Sequence, residues 1–496
     1  MTISWAAYSV VSAYVASGLV GYVAARPGKG IRLDRMKLYQ GPFAESIANA
    51  VQSVNFTASR IRGRKQKKPQ NISQLYHDAV HTAFNPNLQF IVTGAPHARA
   101  YYLRNFACFY PDLLDPISIV DHADAEHRRL LLERSVAIMI ASLEKGIQTT
   151  TLVPVSRNRI VGVNYFNEPS DTLLGILYAI RQLSEAESHP EYADVFEHAA
   201  AFGRSILEKH HVVLEEAVLD LAKSLELAEI DGQQYLLCDF ARSRSSATDT
   251  RADRMRFVTN ANIWTTFYQA VALGIVSEDA LHSVIGISLQ EYKDSILSLF
   301  GRRGYIEHSL ENKSTDPALS VSLDFAHLHR GFWYLNSERE RRLFKATADI
   351  ILSDARLKVA NGSLYLMSAR RAKQKMLHLV TASEYQGRAA WPSFNVEFAD
   401  RLFELGSIEG DARYIDAAKM ILRTIRVVTE TYGGYQEVLS QKCKPYRTWM
   451  YKSAIANSWF PRYASVWHRA FNEKLCDTRL PILKIDFERS MTGQAS

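Results

Sequence analysis

Asn167-Glu168-Pro169-Ser170-Asp171-Thr172-Leu173-Leu174-Gly175-Ile176-Leu177-Tyr178-Ala179-Ile180 decides how the rest of the chain reads. Pro169 closes a turn-rich connector, residues 149–169, that also holds Pro154 and Gly162. Ser170 or Asp171 then starts a helix, since either side chain can accept one of the orphaned N–H groups of a first turn. Leu173, Leu174, Ile176, Leu177 and Ile180 fall on one face, with Arg181 and Glu185 outside. Asp171 thus has a structural use as an N-cap before any chemical one.

The same periodicity recurs along the chain. Residues 125–145 carry Leu130, Leu131, Val136, Ile138, Met139 and Leu143 at helical spacing. Asp411 caps a later case, in which Ala417, Ala418, Ile421, Leu422, Ile425 and Val428 share a face. Further helices are predicted near 192–225, 259–274, 278–299, 338–353, 394–405 and 447–472. Strand candidates are few: Ser363-Leu364-Tyr365-Leu366 and the tail at 482–487. No period indicates a solenoid. About a dozen helices without a clear linker favour one all-α toroid over several bundles. The expected layout is a hydrophobic segment 1–25, a basic linker 26–69, a toroid over 70–475 and a tail 476–496.

Composition narrows the function classes. With 47% hydrophobic and 22% charged residues, the chain has ample core and is not a disordered one. Cys108, Cys238, Cys443 and Cys476 lie far apart with no CxxC pair, so neither a zinc site nor a disulfide framework is indicated. His77 and His81 are spaced i, i+4 but lack the glutamate of a zinc-protease helix. His210 and His211 read as surface helix residues. No phosphate-binding loop, dinucleotide fingerprint or Ser-His-Asp elbow occurs.

The net charge of +7 is concentrated near the N-terminus. Arg60, Arg62, Arg64, Lys65, Lys67 and Lys68 end at Pro69, with Arg26, Lys29, Arg32, Arg35 and Lys37 upstream. This reads as a solvated linker or an attraction to anionic lipid. No nucleic-acid fold signature accompanies it, so nucleic acid is not an expected partner. Residues 2–25 contain no charge and are long enough to span a bilayer as a helix. With the basic flank on their C-terminal side, the remainder is expected on the cytoplasmic face of the cell membrane.

Two carboxylates carry the chemistry. Asp171 opens its helix; Glu437 follows a Gly433-Gly434 turn in Gly433-Gly434-Tyr435-Gln436-Glu437-Val438, just before Tyr446-Arg447-Thr448-Trp449. The stretch from Gly146-Ile147 through Val153-Pro154 to Leu174 resembles the connector and helix start of glycogen-debranching glucosidases and neutral invertases. These are six-hairpin (α/α)6-barrel glycosidases. Asp171 falls on their general acid, with Leu174 where a tryptophan is usual. Gln436-Glu437-Val438 with Tyr446-Arg447-Thr448-Trp449-Met450 resembles their second catalytic segment, which makes Glu437 the general base. Tyr102-Leu103-Arg104-Asn105-Phe106 is similar to their Arg-Asp-Phe segment that holds sugar hydroxyls, with Asn105 replacing the aspartate. Asn260-Ala261-Asn262-Ile263-Trp264 is similar to the debranching-enzyme helix carrying Asn-Ala-Leu-Trp.

The resemblance implies an inverting glycoside hydrolase acting on an α-glycosidic or related oligosaccharide bond, without metal or organic cofactor. Arg104, Asn105, Asn262, Trp264, Tyr435 and Trp449 would be substrate-binding residues, and Trp391 a further stacking candidate. An inverting pair needs a protonated acid at the leaving oxygen and an ionised base holding water, about 6.5–9.5 Å apart. Each residue also has a structural reading: Asp171 as N-cap, Glu437 as a solvated turn residue, the aromatics as core, Arg104 as an ion-pair partner. Two other functions compete. His327 and His329, before Arg330-Gly331-Phe332-Trp333, suit a sugar 2-epimerase, which shares the toroid. A catalytically silent carbohydrate-binding protein would keep the groove without a matched acid and base.

Overall fold

The computed structural model describes residues 37–41, 43–48, 70–84, 91, 101–103, 105–108, 110, 112–146, 151–156, 159–163, 171–186, 189–230, 232–237, 256–311, 314–327, 329–359, 363–370, 384–385, 387–448 and 453–477. The hydrophobic segment 1–25, the basic run at 60–68 and the tail strand at 482–487 lie outside them. Among the described residues the chain is mostly helical, and no helix is long and apolar enough to cross a membrane.

Helical hairpins account for the architecture. α1 (Ile72–Ala83) precedes the short α2 (Asn105–Cys108), and α3 (His122–Glu144) precedes α4 (Thr172–Ser184). α5 (Ala193–Lys223) precedes α6 (Phe257–Ala272). α7 (Glu278–Ile285) and α8 (Leu289–Phe300) lead through one-turn α9 (Pro317–Ser320) to a 3-10 turn at Leu323–His327 and α10 (His329–Phe332). α11 (Glu338–Ser353) pairs with α12 (Pro392–Glu409), and α13 (Ala412–Tyr432) with α14 (Phe460–Phe471).

Burial sorts these elements into two layers. α4, α6 and α12 bury every residue across 172–180, 257–267 and 392–402, so they are enclosed on all sides. α8 buries one stripe and turns the rest outward, as α13 does over its first half with Tyr414, Ala418, Ile421 and Leu422; from Thr424 to Glu430 α13 is buried throughout. Inner neighbours touch in order: α2 on α4, α4 on α6, α6 on the 3-10 turn and α10, that turn on α12, and α12 on α14. Arg462 of α14 then meets Asp112 at 2.6 Å, and Tyr110 meets Ser458 at 3.1 Å. The last hairpin therefore closes on the first. The fold is an all-α, (α/α)6 toroid.

Local chemistry sets the element ends. Asp121 and Asp411 cap α3 and α13 through their side chains, the latter as its sequence predicts. The predicted helix over 278–299 is two helices, because Gly286 ends α7 at φ +79° and Ser288 with Glu291 forms a capping box for α8. The predicted helix over 447–472 begins only at Phe460. Residues 453–456 instead make backbone pairs with the Tyr435–Val438 stretch and with Tyr446, and Pro461 sits in the first turn.

The 149–169 connector holds a β-hairpin that the sequence reading missed. β1 (Lys37–Tyr39) pairs parallel with β4 (Arg159–Val163), β4 antiparallel with β3 (Thr151–Ser156), and β3 with β2 (Tyr101–Tyr102). Pro154 hid it, since proline usually argues against a paired strand. β5 (Glu226–Ile230) and β6 (Gln233–Leu237) form a second hairpin. The predicted strand at 363–366 contributes one isolated bridge, Tyr365 to Lys358.

Candidate active site

In each hairpin the inner element follows its outer partner. A chain of backbone hydrogen bonds joins the described parts of the third to sixth hairpins into a rim. Phe257 donates to His308, His308 to Ser320, Leu323 to Met367, and Met367 to Ala389. Ala390 and Leu439 exchange bonds, and Glu437 donates to Ala454 at 2.9 Å. Residues far apart in sequence are thereby held at neighbouring rim positions.

Glu437 owes its place to two glycines used differently. Gly433 ends α13 in the left-handed region at φ +64°, which a side chain resists. Gly434 lies so close to Ile455 that an added Cβ would stand 2.7 Å from Cγ2. Residues 435–439 then run beside 453–456, with Gln436 bridged to Ile455 and the Val438 N–H bonded to Ser453 Oγ at 3.0 Å.

Both carboxylate oxygens of Glu437 are engaged. Tyr385 donates its hydroxyl to Oε1 at 2.5 Å, and the Ala454 N–H donates to Oε2 at 3.1 Å. Aromatic rings pack around Tyr385. Trp391 packs edge-on to Tyr385 with centroids 4.8 Å apart and donates its indole N–H to the Tyr385 carbonyl at 2.8 Å. Tyr446 lies 6.2 Å from Tyr385, and Trp459 stacks on Trp391 at 6.4 Å with planes 16° apart. Trp391 and Trp459 occupy the N-cap positions of α12 and α14, so two inner helix starts meet beside the carboxylate. Glu437 is thus 9% exposed and hydrogen-bonded, unlike a solvated turn residue.

Asp171 stands at the N-cap position of α4 and is fully buried. Its side chain makes no capping hydrogen bond, so the structural use that its sequence position offers is not the one realised. It starts the inner helix of the second hairpin, whereas Glu437 belongs to the sixth. Asn105, which opens α2 in the first hairpin, donates to the Tyr110 hydroxyl at 3.4 Å; that hydroxyl meets Ser458, next to Trp459, at 3.1 Å.

The other sequence candidates are placed differently. Trp264 packs against the outer layer: Tyr268 stacks on it, Lys293 Nζ lies 4.7 Å over its ring, and its N–H bonds the Leu289 carbonyl that starts α8. Tyr435 is buried against Phe460 and Tyr463, and burial pushes its phenol well above the usual range. Asn262 is buried within α6. Arg104 and Trp449, and the side chains of His327 and His329, lie outside the described residues.

Sequence reasoning missed several rim residues. Tyr385 sits in no periodic segment and has no local signal. His308 and Asp324, both from the connection after α8, approach to 3.8 Å, and Arg256 at the start of α6 is bridged to Ser309. Among the described residues no cluster of His, Cys, Asp or Glu is arranged to hold a metal ion. Cys443 is buried and Cys476 half-buried.

No protein-family model and no curated protein matches the chain. Among solved structures, a glycosidase variant is similar over 81% of this chain and 97% of its own, with 11% identity and a TM-score of 0.48. A cellobiose 2-epimerase from Spirochaeta thermophila is similar over 80% and 98%, with 11% identity and a TM-score of 0.44. A metal-independent α-mannosidase from Streptococcus pneumoniae, complexed with α-1,6-mannobiose, is similar over 94% and 99%, with 11% identity and a TM-score of 0.41. The toroid itself rests on the hairpin contacts described above.

Proposed function

We propose that this protein is a glycoside hydrolase that cleaves an α-glycosidic or related oligosaccharide bond with inversion. The observation that carries the reading is Glu437, gripped at both oxygens by Tyr385 and Ala454, with Trp391 and Tyr446 packed on Tyr385 and Trp459 stacked on Trp391. Carboxylates beside aromatic faces suit a sugar ring, whose C–H faces stack while its hydroxyls take hydrogen bonds.

Glu437, held at both oxygens by a phenol and a backbone amide, takes the role of the base that orients the attacking water. Asp171 takes the role of acid. Its helix N-terminus favours the anion and its complete burial favours the protonated form, and the role requires burial to prevail. In the reaction, Asp171 gives its proton to the leaving oxygen as the glycosidic C–O bond breaks. Water forms the new bond from the opposite face and yields its proton to Glu437. Asn105 would contribute to sugar-hydroxyl recognition, and residues 1–25 would anchor the enzyme to the cytoplasmic face of the membrane.

A panel of glycosides assayed with Asp171→Asn and Glu437→Gln tests the reading. Both variants should keep the wild-type circular dichroism and lose about a thousandfold or more in turnover. Product anomers followed by NMR should show inversion. Hydrolysis unaffected by either substitution would sink the proposal. The rival sugar isomerase, using His327 or His329, would convert free or reducing-end sugar with Asp171→Asn intact and with His327→Gln or His329→Gln inactive.

A further inference from the structure

We propose that Tyr385 is the positioning residue of Glu437 and that the turn opened by Glu384 serves to deliver it; this deepens the hydrolase reading and rests on it. Glu384 has φ +66°, a left-handed conformation that residues with a Cβ seldom adopt. Such backbone persists only where neighbours over-determine it, and here they do. The Gly387 N–H bonds the Glu384 carbonyl at 3.0 Å, and the Arg388 N–H bonds the Glu384 carboxylate at 3.1 Å. The Arg388 guanidinium then reaches Gln441 at 3.2 Å, tying the turn to the segment that carries Glu437.

Tyr385 is fixed at three points. Its carbonyl accepts the Trp391 indole N–H at 2.8 Å, its ring packs edge-on against that indole, and its hydroxyl ends on Glu437 Oε1 at 2.5 Å. With Ala454 holding Oε2 at 3.1 Å, the plane of the carboxylate is set from both sides. A base whose rotation is removed beforehand holds its attacking water in line with the bond to be broken, which is where orientation accelerates a reaction.

The experiment uses the full chain with p-nitrophenyl α-D-glucopyranoside, p-nitrophenyl α-D-mannopyranoside and sucrose as probes. Tyr385→Phe keeps the ring and removes only the donor. It should lower kcat by about ten- to a hundredfold with KM changed less than about twofold. In a Glu437→Gln background the same substitution should cause no further loss, because it acts through that carboxylate. A substrate-free arm uses tyrosine labelled with carbon-13 at Cζ. The resonance missing in Tyr385→Phe should move in Glu437→Gln. Wild-type kcat in Tyr385→Phe beside an inactive Glu437→Gln overturns this inference and leaves the hydrolase reading standing, as do losses that multiply in the double variant. Retained hydrolysis in Glu437→Gln overturns both. An unmoved Tyr385 resonance overturns the coupling whatever the activity.

Discussion

Arg462 clasps Glu397 with two parallel hydrogen bonds, Nε to Oε1 at 2.7 Å and Nη2 to Oε2 at 2.8 Å. The same guanidinium reaches Asp400 at 2.8 Å and Asp112 at 2.6 Å. One buried side chain therefore joins α12, α14 and the segment after α2, where the ring of hairpins closes. Its fixed fork of donors is what permits several carboxylates to share it.

Removing that fork leaves buried carboxylates without their counter-charge. Arg462→Met should lower unfolding free energy by about 3–5 kcal/mol, and Arg462→Lys by a comparable amount because an ammonium lacks the planar geometry. Urea titration followed by circular dichroism measures this. An unchanged midpoint would mean that the ring closes by apolar packing alone.

Acid should loosen the same junction. Burial pushes the Asp400 carboxyl up, but the guanidinium groups of Arg462, Arg401 and Arg469 outweigh it and hold the group far below the ordinary range. A group depressed in the folded state contributes stability that is fully present above its unfolded pKa of about 3.9 and lost as pH falls toward the folded value. Stability should therefore be insensitive to this group between pH 5 and 8 and decline below about pH 4. Asp400→Asn should be less stable at neutral pH and show a shallower acid decline.

Two glycines should respond differently to the same added methyl group. At Gly203, in α5, a Cβ would stand 2.4 Å from the Ser184 backbone nitrogen, and backbone cannot rotate away. Gly203→Ala should cost about 1–3 kcal/mol or more, with no single-site rescue. At Gly434 the obstacle is the Ile455 side chain at 2.7 Å. Gly434→Ala should be destabilising alone and partly relieved by Ile455→Ala, which thermal melts of the double variant would show.

Trp391 joins stability to the site. It is buried, stacks on Trp459 and anchors the Tyr385 carbonyl. Trp391→Ala should destabilise by about 3–5 kcal/mol. Trp391→Phe keeps an aromatic ring but loses the indole donor, so it should lower kcat in the same direction as Tyr385→Phe with a smaller loss of stability. Equal stability and activity in both variants would show that the indole holds nothing.

Helices were legible wherever one face is buried and the other wet. The 338–353 and Asp411-capped patterns match α11 and α13 because period 3.6 records that asymmetry directly. α4 and α12 are buried all round over 172–180 and 392–402; the start of α4 was read from its N-cap position, whereas that of α12 was placed two residues late. The β3–β4 hairpin and the paired segment 453–456 were not legible, since their partners are distant or their strands hold a proline. At the site, Asp171 and Glu437 could be picked out by residue type and setting. Tyr385 could not, because its partner lies 52 positions away and leaves no local trace.

The sequence by itself determined that the chain is mainly helical, where many helices begin and end, and that carboxylates stand at a helix start and after a Gly-Gly turn. These are local properties of propensity, capping and period. Tertiary structure alone decided which aromatic rings gather around Tyr385, the partner of Glu437: Trp391 and Tyr446 pack against it and Trp459 stacks on Trp391, while Trp264 and Tyr435 pack into the core. It also decided that Asp112 and Arg462, 350 positions apart, would close the ring. Periodicity reports that a face is buried and carries no record of what buries it; that depends on the closure of the whole toroid.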